Sequence, residues 1–251
     1  MFEFKKKYFT RKIKDKPSKS IFREIVEVVT IVAVLRSFLF QMSYIPSGSM
    51  YPTLVVGDYI ALTKYTYGYS RYSFPFGSYW LPDFGRIAGG DIKQGDVAVF
   101  RVRQDDLDFI KRVIAKEGDT VQMKHGRLYI NGAIVPREQI DNSIVDGVAV
   151  PTYIETLPNG VKHKIWQVGG DNHPYSDNTQ LFNVPKGHYF MMGDNRDASD
   201  DSRFSRVGFV SYDSFVGKAR RIMWSLGSAT TIQVWRWASE GDLGRMGKAI
   251  D

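Results

Sequence analysis

The chain has 251 residues, an apolar fraction of 43% and no cysteine. It is therefore long and apolar enough to bury a core, while disulfides, thiolate metal sites and a cysteine nucleophile are excluded. Its formal charge of +7 would suit a nucleic-acid binder if it covered a surface, but nine Lys/Arg against Glu3 and Asp15 place all of it in residues 1–23 and leave 25 basic and 25 acidic groups beyond them. A basic tail ahead of a neutral body points to anionic lipid and membrane topology, not to a nucleic-acid groove.

The first predicted element is Ile21 to Met42, IFREIVEVVTIVAVLRSFLFQM. As a helix rising about 1.5 Å per residue it would cross a hydrocarbon core of roughly 30 Å. Arg23, Glu24 and Glu27 lie near its first end and Arg36 near its second, where charged side chains can snorkel to the interface. An amphipathic helix lying on the membrane surface is the alternative. The basic flank predicts that residues 1–20 stay in the cytoplasm and that everything after about Gln41 lies outside. A secretory signal peptide begins in the same way, but Met42-Ser43-Tyr44-Ile45-Pro46 offers no small-residue cleavage site, so the segment is expected to remain as an anchor.

Beyond it, aliphatic and aromatic runs punctuated by Gly, Asn and Asp predict a mainly β body. The predicted strands are Tyr59 to Lys64, Val97 to Val102, Phe109 to Ala115, Thr120 to Met123, Arg127 to Ile130, His188 to Met192 and Lys218 to Trp224. Asn131-Gly132, between two short apolar runs, predicts a type I′ hairpin, because both turn positions accept positive φ. The aromatic stretch from Tyr65 to Gly90 has no sustained period and reads as a long surface excursion, resting on the membrane interface or packed over the edge of the β-domain. Residues 124–183 read as an insertion, and a short amphipathic helix is expected around Val234 to Leu243. The four histidines, His125, His163, His173 and His188, show no HExxH or close pairing, so no catalytic metal is expected.

Candidate chemistry begins directly after the anchor. Ile45-Pro46-Ser47-Gly48-Ser49-Met50-Tyr51-Pro52 sets two serines around a glycine and between two prolines, a rigid extended loop. A hydroxyl held rigidly beside free backbone N–H groups is what an acyl-transfer nucleophile and an oxyanion site both require. No histidine is a clear base for it. Lysine is the other option: strand alternation over Asp108 to Ile114 puts Lys111 on one face with Phe109 and Val113 and sends Arg112 to the other. Burial among apolar groups lowers a lysine's proton affinity, and Ser-Lys dyads are a recognised variant of the catalytic triad. The polar run Gly193 to Arg203 fails the calcium-loop spacing, with Ser202 and Gly208 where Gly and Glu are needed. It reads instead as an ion-paired turn, with Asp201 against Arg203 or Arg196.

Taken together and in order, PSGSMYPTL, GDYIAL, GDVAVF, DFIKRVIAKEGD and GDNRDASDDSR resemble the boxes of type I signal peptidases. The resemblance implies a Ser49 nucleophile, a Lys111 general base, and a Ser47 hydroxyl that joins the Ser49 N–H in the oxyanion site. It further implies that Ser199 orients the Lys111 amine, and that Asp201 and Arg203 support the site. The implied substrates are secretory precursors with small residues at −1 and −3, bound as an added strand. The implied partners are thus precursors and membrane lipid, with no nucleic acid and no cofactor, and the location is the inner membrane with the catalytic domain on its periplasmic face. The implied architecture is an N-terminal transmembrane helix, then an antiparallel β-barrel-like catalytic domain (residues 43–123 and 184–226). Into it is inserted a smaller β-rich subdomain (124–183), and a C-terminal segment (227–251) follows. One departure stands out: Ala115-Lys116-Glu117 replaces a Gly-Leu-Pro run after the Lys-Arg pair. A specialised relative processing few substrates, or an anchored peptide-binding domain without activity, would share much of this pattern. A self-cleaving repressor would not, because an anchor stands where its DNA-binding helices belong.

Overall fold

The computed structural model describes residues 21–74, 77–102, 104–145, 147–226 and 242–250. The chain enters through helix α1 (Ile21–Phe38), whose Ile, Val and Phe side chains are mostly exposed. Among the described residues no helix is long and apolar enough to cross a membrane. The helix ends four residues before the predicted limit, because Phe40–Tyr44 pairs in register with Asp58–Thr63 as strand β1 against β2. Backbone pairing with a neighbouring strand overrides the helical reading of that apolar run. The predicted basic tail and the amphipathic helix around Val234 lie outside the described residues, apart from a 3-10 turn at Leu243–Arg245.

Strands β3 (Val97–Val102), β4 (Leu107–Lys116), β12 (His188–Met192), β13 (Val210–Ser211) and β14 (Phe215–Ser225) complete a seven-stranded antiparallel sheet, ordered β1-β2-β14-β3-β4-β12-β13. β1 and β13 are its edges, so the sheet does not close into the expected barrel. Both of its faces are covered around β3: Val97 and Val99 join one apolar cluster with Leu62 and Ile222, while Ala98, Phe100 and Val102 join another with Tyr67 and Phe215. Period-two alternation between two buried faces is why this strand reads as a continuous apolar run.

Two smaller sheets follow. β5 (Thr120–Lys124), β6 (Arg127–Ile130), β7 (Ala133–Ile134) and β11 (Phe182–Asn183) form one, ordered β11-β5-β6-β7. β8 (Arg137–Val145), β9 (Val148–Thr156) and β10 (Lys162–Trp166) form the other, ordered β10-β9-β8. The predicted hairpin is present: Ile130 pairs with Ala133, and Asn131 and Gly132 have φ of 53° and 76°. In the departing segment, the Lys116 N–H donates to the Asp119 carboxylate at 3.0 Å, closing a turn without proline, and Glu117 accepts from the Gly187 N–H at 2.6 Å. The aromatic stretch is divided: Tyr67 and Tyr72 are buried in the core, whereas Tyr79 and Trp80, both on the short helix α2 (Gly77–Trp80), project outward.

Candidate active site

Three segments meet at one cleft. After β1, Ile45 is buried and Pro46 leads into a 3-10 turn, Gly48–Met50, in place of the extended loop expected from the sequence, with only Ser47 extended at its head. The Ser49 N–H opens that turn and meets no acceptor among the described residues, as the first N–H groups of any helical turn must. The second segment is β4, which carries Lys111, and the third is the polar run after β12. The last holds the first in place: the Asn195 N–H donates to the Ser49 carbonyl at 3.1 Å and its side-chain amide to the Gly48 carbonyl at 3.1 Å.

Lys111 Nζ lies 2.7 Å from Ser49 Oγ and 5.6 Å from the centre of the Phe109 ring. Its residue is only 3% exposed. Burial pushes the amine down to about 8, against the pull of Asp201, Asp200 and Asp194 and with a smaller push from Arg203. Desolvation wins because removing an ammonium from water costs more than carboxylates beyond hydrogen-bond range return. The cleft over the pair has a volume of about 440 Å³ and is bounded by Pro46, Leu107, Phe109, Ile110 and Ala198, with Ser47 at its wall. Ser47 is exposed and lies free to bond to a ligand; its side chain caps nothing in the turn.

The other predicted residues lie beneath. Arg203 donates twice to Asp201, at 2.9 Å each, and its guanidinium also reaches the Arg196 carbonyl at 2.6 Å. Asp201 accepts from the Gly193 N–H at 3.0 Å. Burial would raise the Asp201 carboxyl, but Arg203 and these hydrogen bonds outweigh it and keep it ionised. Ser199 is buried beside Gly193 and close enough to Asp201 to help hold its carboxylate low. The hydrogen bond of the Lys111 amine goes to Ser49 and not to Ser199. Gly193 is required by space: a Cβ there would lie 2.2 Å from Ser199 Oγ and 2.5 Å from the Ser49 carbonyl oxygen.

Below this lies a buried ionic network that sequence reasoning did not assign. Arg112, correctly placed on the opposite face from Lys111, forks onto Asp194 at 2.9 and 2.8 Å, and Thr53 donates to the same carboxylate at 2.5 Å. Arg196 forks onto Glu155 of β9, with contacts of 2.8 and 2.5 Å, and His163 of β10 stands 3.4 Å from Glu155. Burial would raise Glu155, but Arg196 and His163 hold it far below the carboxylate range. Burial and Arg112 together push His163 down, so it stays neutral, engaged with this network and not with Ser49. The signal for Asp194, Asn195 and Arg196 was present in GDNR. Glu155 and His163 gave none, because their partners are distant in sequence.

The family described as signal peptidase, peptidase S26, matches residues 18–224. The chain belongs to this family. The signal peptidase I of Rickettsia typhi (strain ATCC VR-144 / Wilmington) is 39% identical over 219 residues, covering 84% of this chain and 82% of the relative. That of Rickettsia prowazekii (strain Madrid E) is 38% identical over 218 residues, with the same coverage. The crystal structure of a signal peptidase I from Enterococcus faecalis V583 aligns with a TM-score of 0.32 at 27% identity, covering 51% of this chain and 96% of that one. Membership makes the chain a serine peptidase, and the contact between Ser49 and Lys111 is the geometry within it that such chemistry requires.

Proposed function

We propose that the chain is a membrane-anchored signal peptidase I that removes N-terminal signal peptides from exported precursors, with Ser49 as nucleophile and Lys111 as general base. The observation that carries this reading is the 2.7 Å contact between a buried lysine amine and a serine hydroxyl at the floor of an apolar cleft. Neutral Lys111 takes the hydroxyl proton as Ser49 Oγ attacks the scissile carbonyl. The Ser49 N–H and the Ser47 hydroxyl receive the oxyanion. The Lys111 ammonium then protonates the leaving amine, and a water repeats the sequence to release the acyl group. Asn195 keeps the Ser49 turn in register, and Asp201 with Arg203 stiffens the loop beneath Lys111. Small side chains at −1 and −3 suit the shallow apolar walls.

The exposed apolar surface of α1 and the basic residues ahead of it support a single-pass anchor, with the N-terminus in the cytoplasm and the catalytic domain on the periplasmic face. The catalytic unit is read as residues 43–123 and 184–226, and 124–183 as the inserted subdomain.

Arginine at position 111 tests the base. Its guanidinium keeps the charge but cannot be deprotonated, so Lys111→Arg should lower kcat on a precursor peptide by about 10² to 10⁴, with Ser49→Ala inactive and circular dichroism unchanged. A Lys111→Arg enzyme within about tenfold of the parent would show that only positive charge is needed.

A further inference from the structure

A second cavity, of about 330 Å³, lies where α1 meets the β-domain, and Arg36, Lys64, Tyr79, Arg101 and Asp108 line it. The junction is docked: the Phe38 ring packs edge-on against Tyr69 and Phe74, and the Tyr69 hydroxyl donates to the Phe38 carbonyl at 2.8 Å. Arg101 is balanced within the wall by Asp108 at 2.8 Å and Asp106 at 3.2 Å. Asp108 also attracts the Lys64 ammonium, but from beyond ion-pair distance. Arg36 forms no ion pair with any described residue. Lys64 is 1% exposed, and its ammonium donates to one neutral acceptor, the Ser73 carbonyl, which leaves donors of its three unused.

Two cations without an ion pair converge on one cavity, one of them desolvated, and with Arg101 they outnumber Asp108 in its wall, which makes it a site for an oxyanion. We propose that this cavity binds the phosphate of an anionic phospholipid headgroup, with Arg36 and Lys64 as its ligands. The proposal rests on reading α1 as the membrane anchor. Arg36 is in the last turn of α1, directly after its exposed apolar face, and Tyr79 and Trp80 stand beside the cavity 74% and 82% exposed, where amphipathic rings mark the headgroup level. Burial and the repulsion of Arg36, against the weaker pull of Asp108, bring the Lys64 amine down to about 8; a bound phosphate monoanion would reverse that loss.

The test is calorimetric titration of the full chain in detergent with dihexanoylphosphatidylglycerol, with inorganic phosphate as a second arm. The expected result is saturable binding of the lipid at least about tenfold tighter than phosphate, weakened about tenfold by Arg36→Gln or Lys64→Gln. Arg36 is exposed, so its variant remains informative if Lys64→Gln fails to fold. Lys12→Gln, in the basic tail, should leave the affinity unchanged. Equal affinity for inorganic phosphate would overturn the lipid assignment. Loss with Lys12→Gln as large as with Arg36→Gln, or no effect of Arg36→Gln, would overturn the pocket itself. Flotation with phosphatidylcholine vesicles tests the anchor separately: a chain that fails to float sinks that reading, whereas one that floats without headgroup affinity sinks only this one.

Discussion

At the scale of single residues, the site turns on how far burial outweighs charge at Lys111. Desolvation brings its amine to about 8, while the carboxylates of Asp201, Asp200 and Asp194 pull the other way. A lysine acting as the proposed base works in its deprotonated form, so kcat/KM should climb as pH rises through about 8 and level off above it. A flat profile from pH 6 to 10 with the enzyme folded would contradict a lysine base. Ser47 is exposed at the cleft wall with no bond in the turn, and its proposed task exists only in the transition state. Ser47→Ala should therefore lower kcat by about 10² to 10³ with KM little changed, and Ser47→Thr should do less harm. Processing at the parental rate by Ser47→Ala would remove it from the oxyanion site.

Among the elements, the loop after β12 has the most depending on it, because it ties the Ser49 turn, β4 and the β8 to β10 sheet together through buried charges. Asp194 faces Arg112 with both groups fully buried. Removing one member of such a pair strands the other charge without water, so Asp194→Ala should destabilise the folded chain by about 3–5 kcal/mol in urea unfolding. Asp200→Asn, which breaks the half-exposed contact with Arg206, should cost less than about 1 kcal/mol. Similar costs for both would mean that the buried pair is not what secures the loop. The strands read from sequence were those with apolar alternation or continuous apolar runs, such as Val97–Val102 and His188–Met192. β1 and β8 were missed for a physical reason. FQMSY continues an apolar run and REQIDNSIV is largely polar, so neither shows its face until a partner strand supplies the ladder.

For the whole molecule, the asymmetry of charge sets the topology prediction. Protease added to spheroplasts should digest the body and leave only an anchor-sized fragment, whereas full protection of the body, with outer-membrane permeabilisation verified, would reverse the orientation. That asymmetry is local in the chain, as are the Asn131-Gly132 turn and the alternation that put Lys111 and Arg112 on opposite faces. All of these were determined by the sequence alone, since each depends on neighbours within a few residues. Tertiary structure decided what depends on distant partners: the 2.7 Å approach of Lys111 to Ser49 across 62 residues, the pairing of Arg196 with Glu155 and the open edges of the seven-stranded sheet. Contacts of that kind have no period and no spacing. Only the closing of long loops brings such groups into range, and only burial then decides which charges must be matched.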